Sequence, residues 1–285
     1  MSGFAASLSA LAPRYDAILS DVWGVIHNGI AAYPEAVDAL RRYREGGGRV
    51  VLITNAPRPS APIQAMLDRL GVTRDAYDGI VSSGDVTRAM LDAYRGQTLH
   101  YVGPPRENDA LFEGLGITLG SAADAKALIV TDLDDDNDTP DDYTGRMTEW
   151  LKRDLPMICA NPDRVVEHGT QIFYCGGALA DLYEARGGRI HMAGKPYRPI
   201  YDLALKAAET AAGHTLDRGR ILAIGDSVRT DAIGAAGAGM DLVFITGSIH
   251  AEELDAFGNP DPDAIRELIA PSGASMVGAM PRLAW

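Results

Sequence analysis

Cysteine is nearly missing from this chain: Cys159 and Cys175 are the only two in 285 residues. Two cysteines cannot build a disulfide framework, which excludes a stapled secreted module and points to a reduced, cytoplasmic setting. Long apolar runs are missing too, since none approaches the roughly 18 residues that span a bilayer. Residues 1–16, MSGFAASLSALAPRYD, have no basic stretch ahead of their short apolar run, so no secretory signal is expected. Positive charge is scarce: 26 Lys and Arg against 39 Asp and Glu leave a formal charge of −13. That balance argues against nucleic-acid or anionic-membrane partners, which such a surface would repel. A small anionic ligand would need a local cluster of donors instead. There is no internal repeat. What is present, 46% hydrophobic and 23% charged residues, is the ordinary balance of a soluble globular protein. The length allows one large domain or two modest ones.

Short β-branched runs alternate with helical stretches, the rhythm of a parallel α/β protein. AILSD (17–21) and RVVLITN (49–55) are expected strands, joined by a helix in PEAVDALRRYREGG, which has Pro near its start and Gly past its end. PSAPIQAMLDRLG (59–71) predicts a second helix and YDGIVSS (77–83) a third strand. GRILAIGD (219–226) and DLVFITG (241–247) predict two more strands, flanking a small-residue helix in RTDAIGAAGAGM. Between these halves, TLHYVGP, AKALIVTD and LPMICANPD form a separate α/β rhythm. The expected architecture is α/β: a Rossmann-like, doubly wound parallel-sheet core of residues 1–86 and 191–285, with an inserted α/β domain at 87–190. The acidic run DLDDDNDTPDD (132–142) imitates a calcium loop. Its frame has Asn137 and Tyr143 where glycine and a bidentate glutamate belong, so a solvated loop is expected.

In a parallel sheet the ligand site lies beyond the carboxyl ends of the strands, near the switch in strand order. One expected strand ends at Asp21, another at Thr54 and Asn55, and a third runs into GDSVRTD with Asp226 and Asp231. GKPYRP (194–199) adds Lys195 at an expected helix start. Carboxylates gathered at strand ends repel one another unless a cation lies between them, and Mg2+ suits hard oxygen ligands. Lys195, the Asn55 amide and the N–H groups after Thr54 could then surround an anion beside the metal.

Four pieces in order, DVWGV (21–25), TN (54–55), GKP (194–196) and GDSVRTD (225–231), resemble the haloacid dehalogenase (HAD) superfamily in its class IIA phosphatase branch. The resemblance covers nearly the whole chain, and the insertion has the size and place of that branch's cap, with NPD (161–163) and CGGA (175–178) similar to cap segments. It implies a Mg2+-dependent phosphohydrolase acting on a small phosphorylated metabolite, with Asp21 as the nucleophile that forms an aspartyl-phosphate. It further implies that Asp21, Asp226 and the Trp23 carbonyl bind Mg2+, with Asp231 binding directly or holding a metal-bound water. Thr54 and Asn55 would hold phosphoryl oxygens, Lys195 would balance their charge, and Asn161 would face the substrate. The cap would close over the site and choose the leaving group, with Arg164, His168 and Tyr174 as candidate contacts. By analogy alone, a homodimer is expected.

One position departs from that pattern. Phosphatases of this branch carry an aspartate two residues after the nucleophile, as general acid and base, and here stands Trp23. Indole has only a non-acidic N–H, and losing a positioned acid costs roughly 10²–10⁴ in rate. Three readings follow: a phosphatase whose acid comes from elsewhere or whose substrate leaves without one, a phosphometabolite-binding regulator with little turnover, or a dehalogenase-like enzyme. The last branch has an aromatic residue at this place but no use for the carboxylates of GDSVRTD. For the first reading, His27 is the nearest titratable candidate for the acid.

Overall fold

The computed structural model describes residues 7–104, 108–168 and 171–285, with the side chains of 167, 168, 171 and 172 outside that description; His168 is among these. Thirteen strands and eight α-helices are present among the described residues. In chain order the first are β1 Ala17–Asp21, α1 Pro34–Glu45, β2 Arg49–Thr54, α2 Ser60–Leu70, β3 Gly79–Ser82 and α3 Ser83–Leu91. Then come β4 Thr98–Val102, β5 Thr118–Leu119, β6 Leu128–Val130, α4 Thr144–Lys152, β7 Met157–Cys159, β8 Val165–His168, β9 Gln171–Tyr174, α5 Gly176–Ala185 and β10 Ile190–Met192. The chain ends with α6 Arg198–Ala212, β11 Ile221–Gly225, α7 Ile233–Ala238, β12 Asp241–Ile245, α8 Pro262–Ile269 and β13 Ser275–Met280.

Internal contacts divide the chain into two units. The first comprises 1–54, 61–81 and 195–285, and the second 55–60 and 82–194. Contacts thus assign the short segment after β2 to the inserted unit and start that unit's main body at Ser82. Ser82 caps α3: its hydroxyl accepts from the Asp85 N–H, while Asp85 accepts back from the Ser82 N–H, satisfying two donors at the helix start.

The first unit is built on a six-stranded sheet in the order β13-β12-β11-β1-β2-β3, all of whose strand pairs that are described run parallel. Residues 17–21 of β1 are buried throughout, as a central strand covered on both faces requires. From β1 the chain winds outward through β2 to β3 on one side, and β11 to β13 extend on the other. Right-handed crossovers place the connecting helices of the two halves on opposite faces. The strand order therefore reverses between β1 and β11, and their carboxyl ends mark the crevice where ligands bind in such sheets. The α/β, doubly wound core expected from the sequence is the fold observed. Strand β13 and the terminal helix α8 extend it beyond what the sequence pattern announced, because SMVGAM is an edge strand with little alternation.

The second unit has its own parallel sheet, β10-β7-β6-β4-β5, and a separate antiparallel pair, β8-β9. Its core packs Trp150, Tyr143 and Tyr183 with Val130, Met157 and Leu179. The acidic run 132–142 is more than a solvated loop. Asp134 accepts from the Gly103 N–H and pairs with Arg146, and Asp138 accepts from the Tyr143 hydroxyl at 2.7 Å.

Candidate active site

Asp21 is the last residue of β1, opposite Ile53 of β2 in the parallel register, so Thr54 stands one step beyond it on the adjacent strand. On the other side Ser20 pairs with Ile224 of β11, which brings Asp226, just past the end of β11, to the same edge. Asp231 arrives by a different route. A single π turn, Val228–Ala232, follows β11, and it folds the Asp231 carboxylate back to accept the Ser227 N–H at 3.2 Å. Three carboxylates, Asp21, Asp226 and Asp231, thereby converge with ligand oxygens within 4.8 Å of one another.

Among the described residues, one cation meets them. Lys195, three residues ahead of α6, donates from Nζ to Asp21 Oδ1 at 2.6 Å and to Asp231 Oδ1 at 2.7 Å. Its side chain is 3% exposed, a burial that a lysine tolerates only when paired. Burial works against the ammonium, but Asp21 and Asp231 outweigh it and hold the Lys195 pKa well above the ordinary lysine value. The carboxylates remain in surplus. Burial, with Asp231 and Asp226 adding repulsion against the pull of Lys195, pushes Asp21 well above the carboxylate range. Burial and Asp231 likewise push Asp226 up to about 7, against a hydrogen bond from Ser248.

Such a cluster is short of positive charge, and its donors are hard oxygens gathered at one point. These properties fit a divalent cation of the magnesium type. Gly24 sharpens the fit: its φ is +79°, and a side chain there would put Cβ 2.1 Å from Asp226 Oδ2 and 2.3 Å from Ser248 Oγ. The chain after Asp21 therefore runs against the Asp226 carboxylate, and only glycine allows that approach.

Ser248 and Tyr201 were not anticipated from the sequence. Ser248 follows β12, so the carboxyl edge of a further core strand supplies it. Tyr201 lies inside α6, 1% exposed, and its hydroxyl donates to the Thr230 carbonyl at 3.4 Å. Burial and the Asp231 charge raise its phenol above the ordinary range, so it stays neutral beside the carboxylates.

The loop after Asp21 carries Trp23 and His27. The two rings meet edge to face at 5.2 Å between centroids. Gly29, at φ +85°, passes under the indole so closely that a Cβ would lie 2.4 Å from Trp23 Cη2. Trp23 is 37% exposed, whereas His27 is fully buried. His27 Nδ1 accepts the Gly29 N–H at 2.9 Å, and its buried Nε2 has no hydrogen-bond partner among the described residues. Burial lowers its pKa to about 4. The expectation that His27 supplies the acid is therefore overturned: the ring is neutral at neutral pH and enclosed.

The other expected residues belong to the second unit. Asn55 donates through Nδ2 to Asp163 Oδ1 at 2.9 Å, and Asn161 Oδ1 accepts the Asp163 N–H at 3.2 Å. Asn55, Asn161 and Asp163 thus form one network. Arg164 pairs with Asp181, and Tyr174 is 45% exposed. Cys159 and Cys175 are buried, and burial pushes the Cys159 thiol up to about 12, which removes it as a nucleophile. A cavity of about 380 Å³ lies apart from the carboxylates, at the amino ends of the core strands beside Asp16, Arg49 and Arg220.

Known proteins carry the same arrangement of sequence and fold. A family profile described as haloacid dehalogenase-like hydrolase matches residues 18–118, and a second, described as HAD-hydrolase-like, matches 192–270. A hydrolase of the haloacid dehalogenase-like family from Brucella suis is 41% identical, with a TM-score of 0.85 over 98% of this chain and 99% of its own. Bovine chronophin is 26% identical over 275 residues, 88% of each chain. A glycerol phosphate phosphatase from Mycobacterium tuberculosis, solved in complex with magnesium, shares the fold at 22% identity. Its TM-score is 0.64, over 84% of this chain and 70% of its own.

Proposed function

This chain belongs to the haloacid dehalogenase-like family as a phosphoric monoester hydrolase of its class IIA branch, and we propose that it removes phosphate from a small phosphorylated metabolite through an aspartyl-phosphate on Asp21. The observation that carries this reading is the buried Lys195 held between Asp21 and Asp231 within a cluster of three carboxylates. Three carboxylates share one ammonium there, and the raised pKa values of Asp21 and Asp226 mark a repulsion that Lys195 alone does not relieve and that a bound cation would.

Asp21, Asp226, Asp231 and the Trp23 carbonyl would hold Mg2+. When bound, the ion screens the carboxylates from the phosphoryl oxygens and stabilises the charge that develops on them. Asp21 attacks phosphorus with a carboxylate oxygen. Lys195 fixes the orientation of that carboxylate and adds a positive charge beside the phosphoryl group, where a preorganised charge acts most strongly. Thr54, at the neighbouring strand end, binds a phosphoryl oxygen. Asn55, through its side-chain amide, and Asn161 would contact the substrate.

The test is phosphate release from a broad panel of phosphorylated metabolites, with Mg2+ and with chelator, by the wild type and Asp21→Asn. The proposal expects Mg2+-dependent release that Asp21→Asn abolishes. A second reading, a phosphometabolite-binding regulator with little turnover, is favoured by Trp23 alone. It would show as a panel without release in which one member nevertheless raises the melting temperature.

A further inference from the structure

The loop between Asp21 and α1 has an unusual stock of side chains. Residues 22–33, VWGVIHNGIAAY, contain no carboxylate. Trp23 and His27 are the ring donors nearest to Asp21 in sequence, and geometry takes His27 out of reach. Its Nδ1 is occupied by the Gly29 N–H and its Nε2 is buried. Asn28 is used locally, accepting the Ile30 and Ala31 N–H groups at 3.0 Å each. Tyr33, at the start of α1, lies under the Arg282 guanidinium at 4.2 Å. Trp23, two residues after the nucleophile, remains partly exposed, its ring packed against His27 and Gly29.

We propose that this loop makes the site selective for phosphoryl compounds whose leaving group is a weak base, acyl phosphates and phenolic esters, over esters of alcohols, with Trp23 as the specificity-determining residue. The inference rests on the phosphatase reading of Asp21 given above. In the first step an Asp21 carboxylate oxygen forms a bond to phosphorus, and the bond from phosphorus to the leaving oxygen breaks. The electron pair departs with that oxygen as a carboxylate or phenolate, which needs no proton. In the second step water attacks the same phosphorus, the bond to Asp21 breaks, and the water's proton passes to phosphate and solvent. An alkoxide leaving group would have to be protonated as it departs, and the loop supplies no acid for it. A positioned general acid is worth roughly 10²–10⁴ in rate, and leaving groups that are already stable anions forgo little of this. The indole also offers a fixed apolar face, which favours planar leaving groups.

The experiment measures kcat/KM for substituted phenyl phosphates, acetyl phosphate and simple alkyl phosphates, with the wild type, Trp23→Asp, Trp23→Asn and Trp23→Phe. The wild type should show a steep dependence on leaving-group pKa and poor alkyl turnover. Trp23→Asp should raise alkyl turnover about tenfold or more and flatten that dependence, whereas Trp23→Asn, of the same size without the acid, should not. Trp23→Phe should keep phenyl over acetyl phosphate if the ring face contributes. Alkyl phosphates turned over as readily as phenyl phosphates by the wild type would overturn the inference and leave the phosphatase reading intact. Equal gains in the Asp and Asn variants would do the same. No release from either class by the wild type would overturn both. Should Trp23→Asp fail to fold, the wild-type leaving-group series decides alone.

Discussion

Replacing Lys195 by methionine removes the one ammonium between Asp21 and Asp231 while keeping most of the buried stem. The wild-type Nζ lies 2.6 Å and 2.7 Å from its two partners, all of them nearly enclosed. Removing one member of such a buried pair typically costs about 3–5 kcal/mol, because the remaining charges lose their compensation. At about 2–4 °C per kcal/mol for a chain of this general size, the melting temperature should fall by roughly 6–20 °C. The loss has a definite pH signature. The folded-state pKa of Lys195 lies above its unfolded value, so its contribution is fully present across neutral pH in the wild type. In the variant, Asp21, its pKa already raised by burial and its carboxylate neighbours, relieves the repulsion by taking up a proton, so the deficit should be smaller near pH 5.5 than at pH 8. Added Mg2+ should restore more stability to the variant than it adds to the wild type, since the emptied pair is more negative. Thermal melts followed by circular dichroism, at both pH values with and without Mg2+, measure all three effects. A variant that melts with the wild type at pH 8 without metal would refute the electrostatic account of the cluster.

Three further outcomes follow from the same geometry. Asp226, with its carboxyl at about 7 when folded, binds its proton in the native state where the unfolded chain has lost it, so metal-free stability should decline as pH rises from about 4 through 7. Stabilisation by Mg2+, read as the shift in melting temperature, should therefore be larger at pH 8 than at pH 6; an equal shift would remove Asp226 from the metal site. His27, depressed to about 4 when folded, gives stability that is present above about 6.5 and lost as pH falls towards 4, by about 3 kcal/mol in all. His27→Gln should blunt that acid slope in urea titrations and leave the pH–rate profile near neutrality unchanged; a profile that loses a neutral limb would return His27 to the mechanism. Gly24→Ala places a methyl against Asp226 Oδ2 at φ +79°; it should lower stability by about 1 kcal/mol or more and weaken Mg2+ binding at least tenfold by calorimetry, and wild-type affinity would show that Asp226 takes no part.

The core was legible because each of its features has a local cause. AILSD and RVVLITN are short, apolar and β-branched, so they could only be buried parallel strands, and a buried strand ending in Asp21 had to present that carboxylate at the sheet edge. The order reversal between β1 and β11 then brought Asp226 beside it. Lys195 was legible as charge logic, the counter-charge an acidic chain needs at such an edge. Other features depend on contacts distant in sequence. The π turn that returns Asp231 to the Ser227 N–H has no sequence signature of its own, and Ser248 joins Asp226 only because β12 ends beside β11. His27 looked like a titratable neighbour of the nucleophile, and nothing in HNG discloses that Gly29 and Trp23 would enclose its ring. Asn55 was legible as half of a TN pair at the end of a strand, but its hydrogen bond to Asp163 is a contact distant in sequence.

The central claim is that Asp21 carries the phosphoryl group. It is tested most directly by acid-quenching the enzyme during turnover of phenyl phosphate with Mg2+, reducing it with borohydride, and locating the product by peptide mass. An aspartyl-phosphate is reduced to homoserine, so the account predicts homoserine at position 21, dependent on both substrate and Mg2+. Continued phosphate release with aspartate intact at position 21, or with the reduced residue elsewhere, would contradict it.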